Sequence, residues 1–472
     1  MMRVFIFCLT GLLSACSLTP EMTKPALPVP ATFPPIASDT GTMSPPTAEL
    51  GWRTMFRDER LQQLIELGLA NNRDLRIAIL HVKAVKAQYH IQRSAQVPHL
   101  NVTMSASRQR NLTSDDQGTQ SSEIQQQSNL NLGFSAFEID LFGRTRSMSD
   151  AAFARYLASD YGQKAAQIAL ISAIADAYFS ERLTTAQLRL TEKTLTDWQA
   201  SLDLTQKLRM GNQASALDVA QAESQVAGAQ ANRAAKIRAL AQARNALRLL
   251  VGSRLPNDLP APRPLTDQEM MTRLPAGLPA DLLLYRPDIL QAEQNLIAAN
   301  EDIGAARAAY FPRLSLTSAM GYASSSIRHL VRSGATMWSL SPQIELPIFQ
   351  GGRLDAALKL AKVRQSSAIA QYEKTIQTAF KEVADGLSGS ETYQQQIAAQ
   401  MNVIAAEQRR THLSKLRYQS GVERHLTLLD AQRQLYAAKQ TWLELKQQEL
   451  SNAVFLYKAL GGGLVESSGA RE

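Results

Sequence analysis

Two stretches of this chain are copies of one another. Asn71-Asn72-Arg73-Asp74-Leu75 recurs as Tyr285-Arg286-Pro287-Asp288-Ile289, and Val97-Pro98-His99-Leu100 recurs as Phe311-Pro312-Arg313-Leu314. Both anchors give one offset: 288 − 74 = 214 and 312 − 98 = 214. Further on, Asp140-Leu141-Phe142-Gly143-Arg144 parallels Pro347 to Arg353, Leu208 to Gly211 parallels Tyr418 to Gly421, and Ala246 to Gly252 parallels Phe455 to Gly461. Five matches in one order make coincidence untenable. The chain must fold as two copies of one unit, so every element read in one half is expected again in the other.

The unit reads as helix, strand pair, long helix, return helix. Leu61 to Val97 has helical periodicity, and Pro98 stops it. Alternation follows, with Val102, Met104 and Ala106 set against Asn101, Thr103 and Ser105, and resumes at Leu130, Leu132 and Phe134. The polar stretch Arg108 to Ser128 between them reads as an exposed loop. In the second half, Leu314, Leu316, Met320 and Tyr322 alternate with small or polar residues. So do Trp338, Leu340, Ile344, Leu346 and Ile348. Alternation of this length suits a transmembrane β-strand, and equally any half-buried strand. Two proline-free stretches follow, Ser149 to Met210 and Leu354 to Gln419. Each carries heptads: Leu188, Thr191, Leu195, Trp198, Leu202, Thr205 in one, and Ile369, Tyr372, Ile376, Ala379, Val383 in the other. A period of 3.5 means coiled-coil packing. Glycines at 211 and 421 read as turns into return helices that end near Leu250 and Leu460.

The first sixteen residues have a separate logic. Arg3 precedes an apolar stretch, Val4 to Leu13, of signal-peptide length, and Leu13-Ser14-Ala15-Cys16 fits cleavage before an acylated cysteine. Ser17 follows where an aspartate would mark inner-membrane retention, which points to the outer membrane of a Gram-negative cell. The other cysteine, Cys8, falls within the signal, so the mature chain is expected to hold no disulfide. Residues 17–50 carry eight of the 19 prolines and read as an extended tether. The expected organisation is signal peptide 1–15, lipid-anchored linker 16–50, repeat one 51–270, repeat two 271–463 and a flexible tail 464–472.

Strand count bears on assembly. After the signal no apolar run approaches the length of a membrane helix, so a membrane crossing would have to use β-strands. Four strands cannot close a barrel, and open edges do not survive in lipid, so a membrane reading requires an oligomer. The net charge is +8, from 50 Lys and Arg against 42 Asp and Glu. These charges are dispersed along helices among acidic and amide residues, the pattern of solvated faces, so no nucleic-acid partner is expected. No phosphate-loop glycine motif, no His-Glu-x-x-His and no Cys-x-x-Cys occurs, and the six histidines are scattered. The expectation is a non-enzyme with no catalytic residue, no metal site and no cofactor beyond the lipid on Cys16.

Several segments together resemble a known family. They are Ala70 to Leu75, Asp140 to Arg144, Arg286 to Ile289, Ile303 to Pro312, Phe380 to Asp385, Leu429 to Arg433 and Ala459 to Gly463, with the lipid-attachment motif. The chain is similar over nearly its whole mature length to the outer-membrane factors of the TolC/OprM type, in particular the lipoproteins serving RND-type pumps. The resemblance implies a mixed α and β membrane protein. It would form a homotrimeric transmembrane β-barrel of 4 × 3 = 12 strands, four per chain, continuous with a long α-helical coiled-coil periplasmic barrel. It implies a passive exit duct for drugs or other toxic solutes, seated in outer-membrane lipid. Its partners would be a periplasmic membrane-fusion adaptor and an RND-type inner-membrane pump.

The same resemblance implies a gate at the helix-hairpin tips. The matching positions are Tyr418, Gly421, Thr427, Asp430 and Arg433, with Asp218 from repeat one. Asp430 would face the pore as a carboxylate ring. Some relatives carry a second acidic residue where Thr427 stands, and some a basic residue where Glu423 stands, with Arg424 as the substitute cation here. Adaptor contacts would fall on Gly211, Asn212 and Ser215 at one tip and on Gly421, Val422 and Glu423 at the other. The alternative reading is a periplasmic coiled-coil adaptor or structural lipoprotein. It explains the helices and the anchor but not strands at matched positions in both repeats.

Overall fold

The structure, a computed structural model, describes residues 17–23, 25–30, 50–114, 120–272, 274, 285–330 and 336–466. The signal peptide expected over 1–15 and the lipid-attachment residue Cys16 lie outside the described residues. Repeat one comprises α1 (Trp52–Met55), α2 (Glu59–Asn71), α3 (Arg73–Ser94), β1 (Asn101–Ser114), β2 (Gln120–Ile139), α4 (Arg144–Met210) and α5 (Ala216–Val251). Repeat two comprises α6 (Pro287–Ala308), β3 (Arg313–Ser324), β4 (Thr336–Glu345), α7 (Arg353–Gln419) and α8 (His425–Ala459). The order expected from the repeat is the order found.

Two local expectations are corrected. The helix read over Leu61 to Val97 is two helices that meet at Asn72. Its backbone is extended there (ψ 131°). Its side-chain oxygen accepts from Leu75 N (2.9 Å) and so caps α3. The polar stretch read as a loop is strand up to Ser114 and again from Gln120. The hairpin pairs continuously from Asn101↔Gly133 to Ser114↔Gln120. Amide and hydroxyl side chains face each other across it, as in Asn111 Nδ2 to Gln125 Oε1 (3.0 Å). A hairpin polar on both faces gives no apolar alternation to read.

The chain divides into two compact units. One comprises the described residues up to Ala26 with His81–Ser159 and Gln291–Tyr372. The other comprises the described parts of Leu27–Leu80, Asp160–Leu290 and Glu373–Glu472. In the first, the four strands form one antiparallel sheet in the order β1-β2-β3-β4, so the two repeats join along β2 and β3. The register places Val102, Leu132, Met320 and Trp338 in one row across all four strands, at 69, 45, 64 and 80% exposure. A β-bulge interrupts β2 between Phe134 and Phe137. Ala136 there has φ 52°, and its N–H donates to Thr317 Oγ1 (3.0 Å).

The same unit holds the N-terminal segment against helix. Leu18 O accepts from Arg307 Nη1 (3.0 Å) and Pro20 O from Asn300 Nδ2 (2.8 Å). Thr19 Oγ1 donates to Glu301 Oε2 (2.8 Å) and lies 3.2 Å from Ser147 Oγ. Gly304 makes this possible, since a Cβ there would stand 2.2 Å from Thr19 Oγ1. The proline-rich stretch reads as a free tether in sequence, yet its first residues dock in a fitted groove.

The second unit carries most of the core. Asp58 caps α2, accepting from Arg60 N (2.9 Å) and Leu61 N (3.3 Å), and also receives Tyr178 OH (2.7 Å). Phe56 and Tyr457 meet edge to face at 5.9 Å. Near the C-terminus, Val465 O and Glu466 O accept from Trp52 N and Arg53 N (3.0 and 3.1 Å). Helices α4 and α7 have 67 residues each. At ~1.5 Å rise per residue, each extends about 100 Å. The heptad positions Thr191, Trp198, Leu202 and Thr205 of α4, and Tyr372, Ile376, Ala379 and Val383 of α7, are buried.

Candidate functional site

The residues expected to act lie at the two turns joining each long helix to its return helix, both within the second unit. In repeat one, Gln213 N bonds Leu208 O (2.8 Å) around Asn212, whose φ is 58°. In repeat two, Val422 N bonds Arg417 O (3.0 Å) around Gly421, at φ 73°. The two closures are the same six-residue helix stop. The left-handed residue matching Gly421 is therefore Asn212. Gly211, read as the turn glycine, lies one position before it.

The start of each return helix differs. Ser215 opens α5 with a full capping box. Asp218 N donates to Ser215 Oγ (3.1 Å), and Ser215 N and Oγ donate to Asp218 Oδ2 (2.8 and 2.6 Å). These bonds hold the Asp218 carboxyl below its ordinary range. Arg424 stands at the same position of α8 and makes no side-chain cap. Gly211, Asn212, Ser215, Gly421 and Val422 are exposed, leaving backbone and small side chains open at both tips. Glu423 is half-buried and accepts from Arg417 Nε (2.8 Å), so the link at this tip joins an acid at 423 to a base at 417.

Between the tips sits His425, which sequence reasoning passes over as one dispersed histidine. It is 1% exposed, its ring 4.7 Å from that of Tyr418. Its Nε2 lies 3.3 Å from Thr205 Oγ1 on α4, while Thr205 spends its own hydroxyl proton on Ser201 O (2.9 Å). Thr205 must therefore accept, and His425 Nε2 carries the hydrogen. Burial pushes the imidazole below its ordinary value, with the nearby Asp218 carboxylate opposing. One imidazole thus ties Tyr418 of repeat two to Thr205 and Asp218 of repeat one. Its signal in sequence is its place at the head of α8, opposite a heptad threonine.

Above this seam Asp430 is gripped by two guanidiniums. Arg410 Nη2 on α7 is 2.5 Å from Asp430 Oδ2, and Arg433 Nη2, one turn on, is 3.4 Å from Oδ1. The hydrogen bond from Arg410 holds the carboxyl well below the usual carboxylate range, helped by the charges of both arginines. Glu407 Oε2 lies 3.4 Å from Arg410 Nη1. Thr427, half-buried, lies one turn before Asp430, its N–H donating to Arg424 O (3.1 Å). Asp430 and Arg433, both matched by the resemblance, are thus brought together, and Asp218 belongs to a separate cluster at the seam. Arg410 is not anticipated, although its signal is present. Both ion pairs mirror about residue 420, since (410 + 430)/2 = (417 + 423)/2 = 420, as an antiparallel helical hairpin requires.

A groove of about 410 Å³ lies beside Trp198 and Ser201 of α4, Lys415 of α7 and Tyr436 and Lys439 of α8. Trp198 and Tyr436, their rings 5.8 Å apart, both line it, and Tyr436 packs against the buried cluster of Trp198, Leu202, Ala222 and Val226.

Comparison with known proteins agrees with the geometry. The family model described as outer membrane efflux protein matches residues 64–253 and 278–462, one segment in each repeat. The probable efflux pump outer membrane protein TtgC of Pseudomonas putida is 44% identical over 460 residues, covering 97% of this chain and 95% of its own. The cation efflux system protein CusC of Escherichia coli is 40% identical over 464 residues, 98% of each chain. The open-state MtrE outer membrane channel of Neisseria gonorrhoeae superposes with a TM-score of 0.87 at 37% identity, covering 96% of this chain and all of that one. A family match in both repeats, together with relatives alike end to end, means that this chain belongs to the outer membrane efflux protein family.

Proposed function

We propose that this chain is the exit duct of a tripartite efflux system. It assembles as a homotrimer whose twelve strands close one transmembrane barrel. A single observation carries the reading: an open-edged four-stranded sheet displays an uninterrupted apolar row, Val102, Leu132, Met320 and Trp338, to its surroundings. Lipid satisfies such a row, and neighbouring chains satisfy the edges. The duct conducts passively, while an RND-type inner-membrane pump supplies the energy and a periplasmic adaptor docks on the tips at Asn212, Ser215 and Val422. Relatives are named for toluene, solvent and cation efflux. Choice of cargo falls to the pump, since a wide passage touches solutes weakly. The gate is built from Tyr418, Thr427, Asp430 and Arg433, and acyl chains on Cys16 anchor each protomer.

The test is single-channel conductance in planar bilayers, wild type beside Asp430→Ala. Small currents that grow in the variant support duct and gate together. Unchanged currents keep the duct and remove the gate from Asp430. A folded trimer that forms no channel overturns the duct and favours a periplasmic adaptor. Mass analysis of the mature N-terminal peptide tests acylation of Cys16 separately.

A further inference from the structure

We infer that Arg410 sets the ion selectivity of the gate by balancing the charge of Asp430 within each protomer. This rests on the gate reading above. The cluster holds two carboxylates, Glu407 and Asp430, and two guanidiniums, Arg410 and Arg433, a net charge of zero. Each oxygen of Asp430 faces a different arginine, Oδ2 at 2.5 Å and Oδ1 at 3.4 Å. All four belong to one hairpin, α7 and α8, so the balance needs no neighbouring chain.

The pair is poorly placed to stabilise the fold. Both partners are more than one-third exposed, and solvent screens exposed ion pairs until little stabilisation is left. Its effect is on the field. A bare carboxylate ring at a constriction attracts cations, because the charges act as monopoles over several ångströms. A neutral cluster of two carboxylates and two guanidiniums acts instead as a set of opposed dipoles, whose field dies away faster. Three such clusters in a ring leave little preference for either ion. Arg410 does this from the long helix and Arg433 from the return helix, so the balance also reports whether the two helices of the hairpin stay in register.

The experiment is the reversal potential of purified, heat-stable trimers in planar bilayers under a potassium chloride gradient. Wild type is expected to discriminate weakly. Arg410→Ala leaves two carboxylates against one guanidinium and raises cation over anion permeability several-fold. Asp430→Ala leaves two guanidiniums against one carboxylate and shifts the ratio several-fold the other way. The double variant, balanced again at one of each, returns toward wild type, and Arg410→Lys keeps the charge and stays near it. A purely structural role for Arg410 predicts no such rescue. If Asp430→Ala shifts the reversal potential and Arg410→Ala does not, the inference falls and the gate stands. If neither shifts it, both fall.

Discussion

Asn72 and Arg286 occupy matching positions of the two repeats, since 286 − 72 = 214, and they make the same contact. Each reaches back to a carbonyl at the end of its own repeat's return helix: Asn72 Nδ2 donates to Leu250 O and Arg286 Nη1 to Ala459 O, both at 2.8 Å. The repeat thus persists as an interaction after its residues have diverged. Arg286 adds ion pairs to Asp288 (2.6 Å) and Glu382 (2.8 Å) at 6% side-chain exposure.

The two sites should differ in cost. Arg286→Ala strands the half-buried Glu382 and is expected to lose about 3 kcal/mol, as when one partner of a buried pair is removed. Asn72→Ala loses one neutral hydrogen bond and the cap on α3, about 1 kcal/mol. Denaturant unfolding of the two variants side by side measures the difference, and equal costs would refute the assignment.

Glycines of one backbone conformation should also part company. Gly252 (φ +71°) ends α5 with its Cβ direction 2.6 Å from Asn71 O, whereas Gly421 (φ +73°) has nothing within 4 Å. Gly421→Ala carries only the left-handed penalty, about 1 kcal/mol. Gly252→Ala adds a backbone collision, raising the cost to about 3 kcal/mol. Melting temperatures of the two variants test the ranking.

Acid should loosen the seam at His425. Above its ordinary value of 6.5 the ring is neutral in both folded and unfolded chains. As pH falls below that, the unfolded chain takes up a proton that the folded chain resists, because burial depresses the folded value. Stability is therefore lost between 6.5 and the lower folded value. The groups facing the ring are Thr205 on α4, Asp218 on α5 and Tyr418 on α7, and the Asp218 carboxylate moderates the loss. His425→Gln should flatten unfolding free energy against pH over this interval, and an unchanged slope would assign the dependence elsewhere.

Docking of the N-terminal segment can be read with a nitroxide on Glu21→Cys, an exposed position just past the groove. Wild type should give a slow, ordered spectrum. Gly304→Val, which fills the space of Thr19 Oγ1, should release the segment and speed its motion several-fold. Identical spectra in both backgrounds would mean that the groove does not hold the segment.

Element order and both long helices are legible because a repeat doubles every signal and a heptad sustained over tens of residues has few other solutions. The outer half of the β1–β2 hairpin is not. Residues such as Asn111 and Gln125 pair with each other, and amide pairing leaves no periodicity. Asp430 and Arg433 can be matched by family resemblance and by their spacing on one helix. Arg410 and His425 act across a turn or between helices, through distances that only folding sets. Arg410 is within reach, since opposite charges equidistant from a helical turn face each other. The docking of Thr19 is hidden by composition. Prolines argue against regular structure but say nothing against an extended segment lying in a groove.

The capping difference between the tips makes one return helix firmer at its first turn than the other. The first is laced shut by Ser215 and Asp218, while the second, which carries Asp430, begins at Arg424 without a lace. Unravelling the first turn of α8 is easier than that of α5 by the worth of one cap, about 1 kcal/mol. Amide hydrogens in the first turn of α8 should therefore exchange ahead of those in the first turn of α5.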